Sequence, residues 1–224
     1  MATLLGIGRL PGAEPLPDGG ELARGIRELA PEKSVEISAT MEVIERVRKR
    51  HKIPVVIRIE KTGQARWSFT CLAKRDGKAN EQWRVHHELG QANRYEHNSR
   101  PVDGAKIHTD LAGSSFTIAD LGLEFLHWPS QVVLKTQRRK SRLCDVLESR
   151  NPKPAKGEYQ RVLSWIDKKT GGILLADIYT DEAKPVKQFS VRGISKKEGR
   201  WQVDEMEMRD TKTRVRSRLH FHLK

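Results

Sequence analysis

The stretch YQRVLSWIDKKTGGILLADIYTDEAKPVKQFSV (residues 159–191) decides the fold class, because it contains three apolar runs separated by two turns. The first turn, DKKTGG, offers Gly171 for a left-handed backbone position, and the second, TDEAKP, ends in proline. Short apolar runs joined in this way predict antiparallel strands connected by hairpins, and not βαβ units.

The same pattern continues on both sides of this stretch. Further strand-like runs are SQVVLKT, SRLCDVLES, RWQVDEMEM and TRVRSRLHFHL. In the last of these, strict alternation separates a basic set of side chains (Arg214, Arg216, Arg218, His220 and His222) from an apolar set (Val215, Leu219, Phe221 and Leu223). Because successive side chains of a strand point to opposite faces, Thr213–Leu223 is predicted as a half-buried strand with a solvated basic face.

The N-terminal part begins with a segment rich in proline and glycine. Residues 1–20 lack the charged start and the long apolar stretch of a signal peptide, so we expect a flexible leader followed by one domain over residues 21–224. The spacing of Leu22, Ile26 and Leu29 then predicts a short amphipathic helix. A long strand from Val35 and a hairpin with its turn at residues 61–64 are expected next, before a polar, glycine-rich middle whose structure the pattern does not determine.

A second helix is predicted within TIADLGLEFLHWP. Thr117 can cap its start, with Asp120 three residues later in the usual position of a glutamate. Leu121, Phe125 and Trp128 then form one apolar face, and Pro129 ends the helix.

The composition leaves several partner classes open. The 224 residues include 42 basic and 29 acidic side chains, a net charge of +13 that suits nucleic acid, anionic lipid or an acidic protein. The basic residues are spread from Arg9 to Lys224, which weakens the nucleic-acid interpretation because a binding footprint concentrates charge on one face. The turn QRRKSR (residues 137–142) is expected to be solvated, with anionic lipid headgroups as the functional alternative.

Catalytic and metal-binding patterns are weak. Ser164 lies within a predicted strand without a nucleophile elbow, and the eight histidines form no HExxH motif. His220 and His222 would lie on one strand face, but the sequence shows no third ligand for a metal. We therefore predict no enzyme activity, no metal and no cofactor. Cys71 and Cys144 are interpreted as buried thiols, and a disulfide between them stays open.

Three groups of residues resemble the outer-membrane lipoprotein-sorting-like (LolA-like) family, and the resemblance covers the chain from about Asp110 to its end. An upstream segment, DLAGSSFTIADL, resembles the family's segment before a helix. Ala183 stands where the family's hairpin usually has glycine. The matching residues are Tyr159, Trp165 and Asp167 in the first group, Tyr179, Asp181, Lys184 and Lys187 in the second, and Gly199, Trp201, Met206, Glu207, Met208, Asp210, Thr211, Thr213 and Arg214 in the third.

The resemblance implies a mainly β (α+β) fold: an incomplete antiparallel β-barrel, or half-barrel, with helices on its concave side. It implies an apolar cavity that takes up the acyl chain of a lipid or lipoprotein, in the periplasm or cell envelope, without catalysis. Further partners that we expect are other envelope proteins or an anionic membrane surface. We expect no nucleic-acid partner, and we expect the protein to be a monomer.

The residues predicted to form the cavity wall are Trp165, Phe189, Met206, Met208, Leu121, Phe125 and Trp128. Methionine adapts to irregular ligands, and a half-barrel has more inner face than two short helices can cover. The alternative is that these residues form packed core. Two other functions therefore stay open: an envelope interaction module with a filled core, and a basic nucleic-acid-binding β-protein.

Overall fold

The computed structural model describes residues 15–46, 49–74, 77, 79–181, 183–197 and 199–223. The predicted leader lies mostly outside these residues. Within them the chain forms a single antiparallel sheet of thirteen strands. The strands are β1 (Val35–Arg46), β2 (Lys49–Lys61), β3 (Arg66–Ala73), β4 (Glu81–Glu88), β5 (Arg94–His97), β6 (Arg100–Val102), β7 (Ser130–Arg139), β8 (Arg142–Arg150), β9 (Arg161–Asp167), β10 (Ile173–Tyr179), β11 (Lys187–Lys197), β12 (Arg200–Asp210) and β13 (Arg216–Phe221).

The sheet is open, and its two halves meet in the middle. Its strand order is β6-β5-β4-β3-β2-β1-β13-β12-β11-β10-β9-β8-β7, so sequence neighbours pair except where β1 meets β13. Strands β6 and β7 are the two ends, and the segment that joins them crosses one face of the sheet. The antiparallel half-barrel predicted from the sequence is confirmed by this topology.

Strand β13 shows the predicted alternation over a shorter span. Leu219 is fully buried, between its partners Met41 and Met206, while Arg216 is exposed. The prediction of a solvated basic face is wrong for Arg218, because its guanidinium donates a hydrogen bond to a Glu207 carboxylate at 2.7 Å.

The turn before β13 explains its shorter span. Arg214 adopts a left-handed backbone (φ 63°) and therefore lies outside the strand. The Asp210 side chain accepts hydrogen bonds from the backbone N–H groups of Lys212 and Thr213, which fixes this turn.

Two short helices lie on the concave side. Helix α1 (Gly19–Arg27) is capped by the Asp18 side chain, which accepts a hydrogen bond from the Glu21 N–H, and it ends before Leu29. Helix α2 (Ile118–Leu121) has the predicted cap, since Thr117 and Asp120 bond reciprocally to each other's backbone N–H.

The second helix is much shorter than predicted. Leu123 takes a left-handed conformation (φ 51°), and a separate 3₁₀ segment follows at Glu124–His127. Among the residues described, no helix is long and apolar enough to cross a membrane.

The two cysteines are buried, and both are free thiols. Cys71 belongs to the main core, and Cys144 belongs to a second cluster with Val146, Trp165 and Leu174. In this conformation Cys71 and Cys144 therefore form no disulfide with each other.

Candidate functional site: an apolar cavity on the concave face

An open cavity of about 510 Å³ lies between the sheet and the segments that cover it. Strands from both halves of the sheet form its floor, because β1 and β13 pair at the centre. The sheet contributes Ile37, Ile57, Ile59, Phe69, Ile173, Ala176, Ile178, Phe189, Val191, Val203, Met206, Met208 and Phe221, and the covering segments contribute Ile26, Leu29, Phe116, Asp120, Leu121, Leu123 and Phe125. The β9–β10 turn completes the lining with residues 170–172.

Five of the seven predicted wall residues come together in this cavity. Leu121 and Phe125 lie on the covering side, and Phe189, Met206 and Met208 lie on the sheet. Phe189 and Met208 are direct cross-strand partners, which places them on one face of β11 and β12. Their contact with a ligand stays a prediction.

Trp165 and Trp128 do not line the cavity. On β9, Val162 and Ile166 belong to the main core, so the alternation of the strand turns Trp165 to the other face. There Trp165 packs with Cys144, Val146 and Leu174, and the Arg139 guanidinium lies 5.3 Å from its ring centroid. Trp128 packs against the core at the end of the 3₁₀ segment.

Several wall residues of the central strands, Ile37 of β1 among them, were absent from the predicted set. Ile57, Ile59, Phe69 and Phe221 all line the cavity, and Phe221 was assigned to the apolar face without a role. The period-two pattern of β2 and β3 carries this signal, since Ile57 and Ile59 occupy alternate positions, with Ile59 opposite Phe69.

A buried lysine anchors the segment that covers the cavity. Lys187 reaches from β11 to this segment, where its Nζ donates to the Ser115 carbonyl at 2.8 Å. The same Nζ lies 3.6 Å from an Asp110 oxygen and 3.9 Å from an Asp120 oxygen. The Ser115 N–H in turn donates to the Ser217 hydroxyl of β13 at 2.8 Å. The covering segment is therefore attached by polar contacts to two strands of the C-terminal half of the sheet, β11 and β13.

A second pocket of about 560 Å³ lies under β5 and β6 and is more polar. The Tyr95 hydroxyl donates there to the Glu124 carboxylate, and the Asn93 amide donates to the Gly122 carbonyl at 2.8 Å. Burial raises the pKa of the Glu124 carboxyl, although the hydrogen bond from Tyr95 lowers it. Glu124 of the 3₁₀ segment lines this pocket, whereas its neighbour Phe125 lines the apolar cavity. The pocket has the donors and acceptors to hold a polar group.

His220 and His222, which the sequence places on one strand face without a third metal ligand, make separate contacts. His220 Nδ1 lies 3.3 Å from Glu205, and His222 Nε2 is 2.9 Å from the Thr40 hydroxyl. Within the described part of the chain, no group of three or more His, Cys, Asp or Glu side chains is arranged to hold a metal ion.

The fold and the cavity define a class: an open antiparallel half-barrel with an apolar chamber under a short helical cover. A family model described as an uncharacterized protein-like family matches residues 70–223, and the chain belongs to that family. Among curated proteins, none matches the chain.

Solved structures of LolA-like fold are similar over nearly the whole chain. A DUF1329 family protein from Desulfovibrio piger is 18% identical with a TM-score of 0.73, covering 91% of this chain and 89% of that one. An outer membrane lipoprotein-sorting protein domain from Vibrio parahaemolyticus is 15% identical with a TM-score of 0.74, over 92% and 90%. A LolA superfamily protein from Nitrosomonas europaea is 13% identical with a TM-score of 0.65, over 92% of both chains. These similarities confirm the LolA-like fold predicted from the sequence.

Proposed function

We propose that this protein binds the acyl chain of a lipid or lipoprotein in the apolar cavity and carries it in the cell envelope, without doing chemistry on it. We propose that it acts as one domain over residues 21–224, and as a monomer. The observation that carries the proposal is the cavity itself, whose polar lining side chains are those of Asp120 and Thr170.

The size and lining of the cavity suit a flexible apolar ligand. A volume of about 510 Å³ is within the range of pockets that hold small molecules. Each methylene group moved from water into such a site contributes about 0.8 kcal/mol, so a chain can bind without a strong polar anchor. Met206 and Met208 add side chains that adapt to the shape of a ligand.

The similar structures support the same proposal. Their names include a lipoprotein-sorting protein domain and a LolA superfamily protein, which suggests a lipid or lipoprotein ligand and an envelope location for this chain as well. The open cavity argues against the alternative of an interaction module with a filled core. Nucleic-acid binding is disfavoured because Phe221, the aromatic residue of β13, faces the cavity and not the arginines.

Fatty acids of increasing chain length test the proposal by displacing an apolar fluorescent dye at constant salt. We expect affinity to rise several-fold with each added methylene, since about 0.8 kcal/mol corresponds to a factor of about four. Binding that ignores chain length and falls with salt would favour an electrostatic function. Absence of dye and fatty-acid binding would favour the filled module.

A pair of variants locates the binding site. Met206→Asn places an amide in the cavity wall and should weaken the binding of long chains about tenfold or more, because the amide loses its hydration. Leu163→Asn is the matched control, since Leu163 is also partly buried but packs on the opposite face of the sheet. Equal losses in both variants would contradict the assignment of the site.

A further inference from the structure

Three hairpin ends of the C-terminal half come together at one edge of the molecule. The Lys168 N–H at the end of β9 donates to the Leu143 carbonyl at the start of β8, at 3.0 Å. The Arg142 guanidinium lies 4.9 Å from the centroid of the Trp201 ring on β12. The described residues at these ends, 137–143, 167–172, 196 and 201–203, therefore form one surface, which we call the hairpin surface.

The hairpin surface is basic. Two carboxylates beneath it, Asp145 and Asp167, are buried, and Asp167 accepts a hydrogen bond from Arg142 at 2.9 Å. These acidic groups therefore lie beneath exposed basic residues, of which Lys140 donates to the Val191 carbonyl and Lys168 lies 4.0 Å from an Asp145 oxygen. The exposed basic residues of the three ends are Arg138, Arg139, Lys140, Lys168, Lys169 and Lys196.

Large apolar side chains are exposed among these charges. Leu143 is 44% exposed, Trp201 is 43% exposed and Val203 is 38% exposed. Tryptophan and long basic side chains are the residues that bind at the boundary between water and lipid, because each combines an apolar body with a polar end. Basic clusters are attracted to the negative surface of a membrane containing anionic lipids.

The hairpin surface also reaches the mouth of the apolar cavity. Residues 170–172 of the β9–β10 turn line the cavity, and so does Val203 of β12. Lys168 and Lys169 directly precede the lining turn, and Trp201 lies two residues before Val203. A membrane bound at this surface would thus lie next to the opening of the cavity.

We propose that the hairpin surface docks on the surface of a bilayer that contains anionic phospholipid. Docking there brings the mouth of the cavity to the lipid boundary, where an acyl chain can pass between bilayer and cavity with little exposure to water. The transfer step rests on the proposed function, whereas docking depends only on the hairpin surface.

Co-sedimentation with vesicles tests the docking. The full chain is mixed with vesicles of phosphatidylcholine alone and with vesicles that also contain phosphatidylglycerol, at low and high salt. The test variant is Arg138→Glu with Lys169→Glu, which reverses two exposed charges on the hairpin surface. The matched control is Lys153→Glu with Lys156→Glu, which makes the same change of net charge at exposed positions beyond the opposite end of β8.

The expected result is binding to the anionic vesicles that weakens at high salt. The hairpin variant should bind at least about tenfold more weakly, and the control should stay within about twofold of the unmodified chain. Equal losses in both variants would overturn the proposal, because attraction would then depend on net charge alone. Binding that is equally strong to neutral and to anionic vesicles would overturn the proposal as well. So would the absence of binding to both kinds of vesicle.

Met206→Asn separates this proposal from the proposed function. Its substitution lies inside the cavity and should leave vesicle binding unchanged while fatty-acid binding falls. Vesicle binding with no fatty-acid binding by the unmodified chain would refute the carrier function and leave the docking surface standing. Fatty-acid binding with no vesicle binding would refute the docking surface alone.

Discussion

Replacing Lys187 by methionine should destabilise the fold, because this lysine holds the cover of the cavity to the sheet. Its Nζ donates to the Ser115 carbonyl at 2.8 Å and lies 3.9 Å from the Asp120 carboxylate. Methionine keeps most of the apolar stem and removes the charge and the donor. The buried Asp120 carboxylate, whose side chain is 5% exposed, then loses its cationic neighbour.

The expected cost follows from that burial. Removing one partner of a buried ion pair costs about 3–5 kcal/mol, since it leaves a charge without compensation. Asp110, the other acidic neighbour of Lys187, has a side chain that is 60% exposed, so its contact adds little. We therefore expect Lys187→Met to lower the free energy of unfolding by about 3 kcal/mol.

Urea denaturation measures this loss, with Lys184→Met as the control because Lys184 is exposed on the preceding turn. The control should change stability by less than about 0.5 kcal/mol. In an Asp120→Asn background, which keeps an acceptor for the Thr117 N–H, the cost of Lys187→Met should fall by about 1–3 kcal/mol. A cost below about 1 kcal/mol for Lys187→Met alone would refute the buried ion pair.

Three further predictions address separate parts of the molecule. Arg216→Glu should change the unfolding free energy by less than about 0.5 kcal/mol, since Arg216 is exposed on β13, and a loss of several kcal/mol in thermal unfolding would contradict this. Burial, with the nearby charges of Arg27 and His87, lowers the pKa of His127 to about 4. The neutral ring thus contributes stability that is complete above pH 6.5 and lost as the pH falls toward about 4, and unfolding curves of His127→Gln should show a smaller loss over that interval. Burial raises the pKa of the Cys71 thiol to about 12, so a thiol reagent at neutral pH should label Cys71 only when denaturant unfolds the chain.

The last strand was predictable because its charged and apolar side chains alternate, with Ser217 as the polar residue on the inner face. Leu219 and Phe221 face the core and the cavity, while Arg216 is exposed. The local sequence could not reveal that Arg218 is held by Glu207, since that partner belongs to the neighbouring strand. Pairing between strands is a tertiary property, and a strand's own alternation does not contain it.

Trp165 was assigned to the wrong face for a related reason. In RVLSWID the apolar residues occupy both parities, because β9 is buried on both sides. The alternation then does not indicate which face of β9 lies toward the cavity. Trp165 was assigned to the cavity wall because of its large size. The structure resolves the choice through Val162 and Ile166, which face the main core and turn Trp165 away from it.

The middle of the chain was undetermined because its strands are mostly polar. In β4 the buried side chains are Trp83 and Val85, a pattern too short to stand out from the surrounding loops. The second helix was predicted too long for a different reason. Its cap was recognised, but the left-handed backbone of Leu123 is rare for a leucine and has no local sequence signal.

The cavity follows from a mismatch in size between the sheet and its cover. Thirteen strands at about 4.8 Å spacing give a surface about 60 Å wide, measured along its curve. Helix α1 has nine residues and helix α2 has four, which correspond to about 14 Å and 6 Å of helix. Curling of the sheet brings distant strands together, as shown by Ile57 of β2 and Ile178 of β10 lining the same space. Two helices of this length cannot fill that space, so side chains such as Phe189 and Met206 are left to border an open chamber. The chamber is therefore a direct result of the strand number and of the early ends of both helices, and a longer cover would be expected to close it.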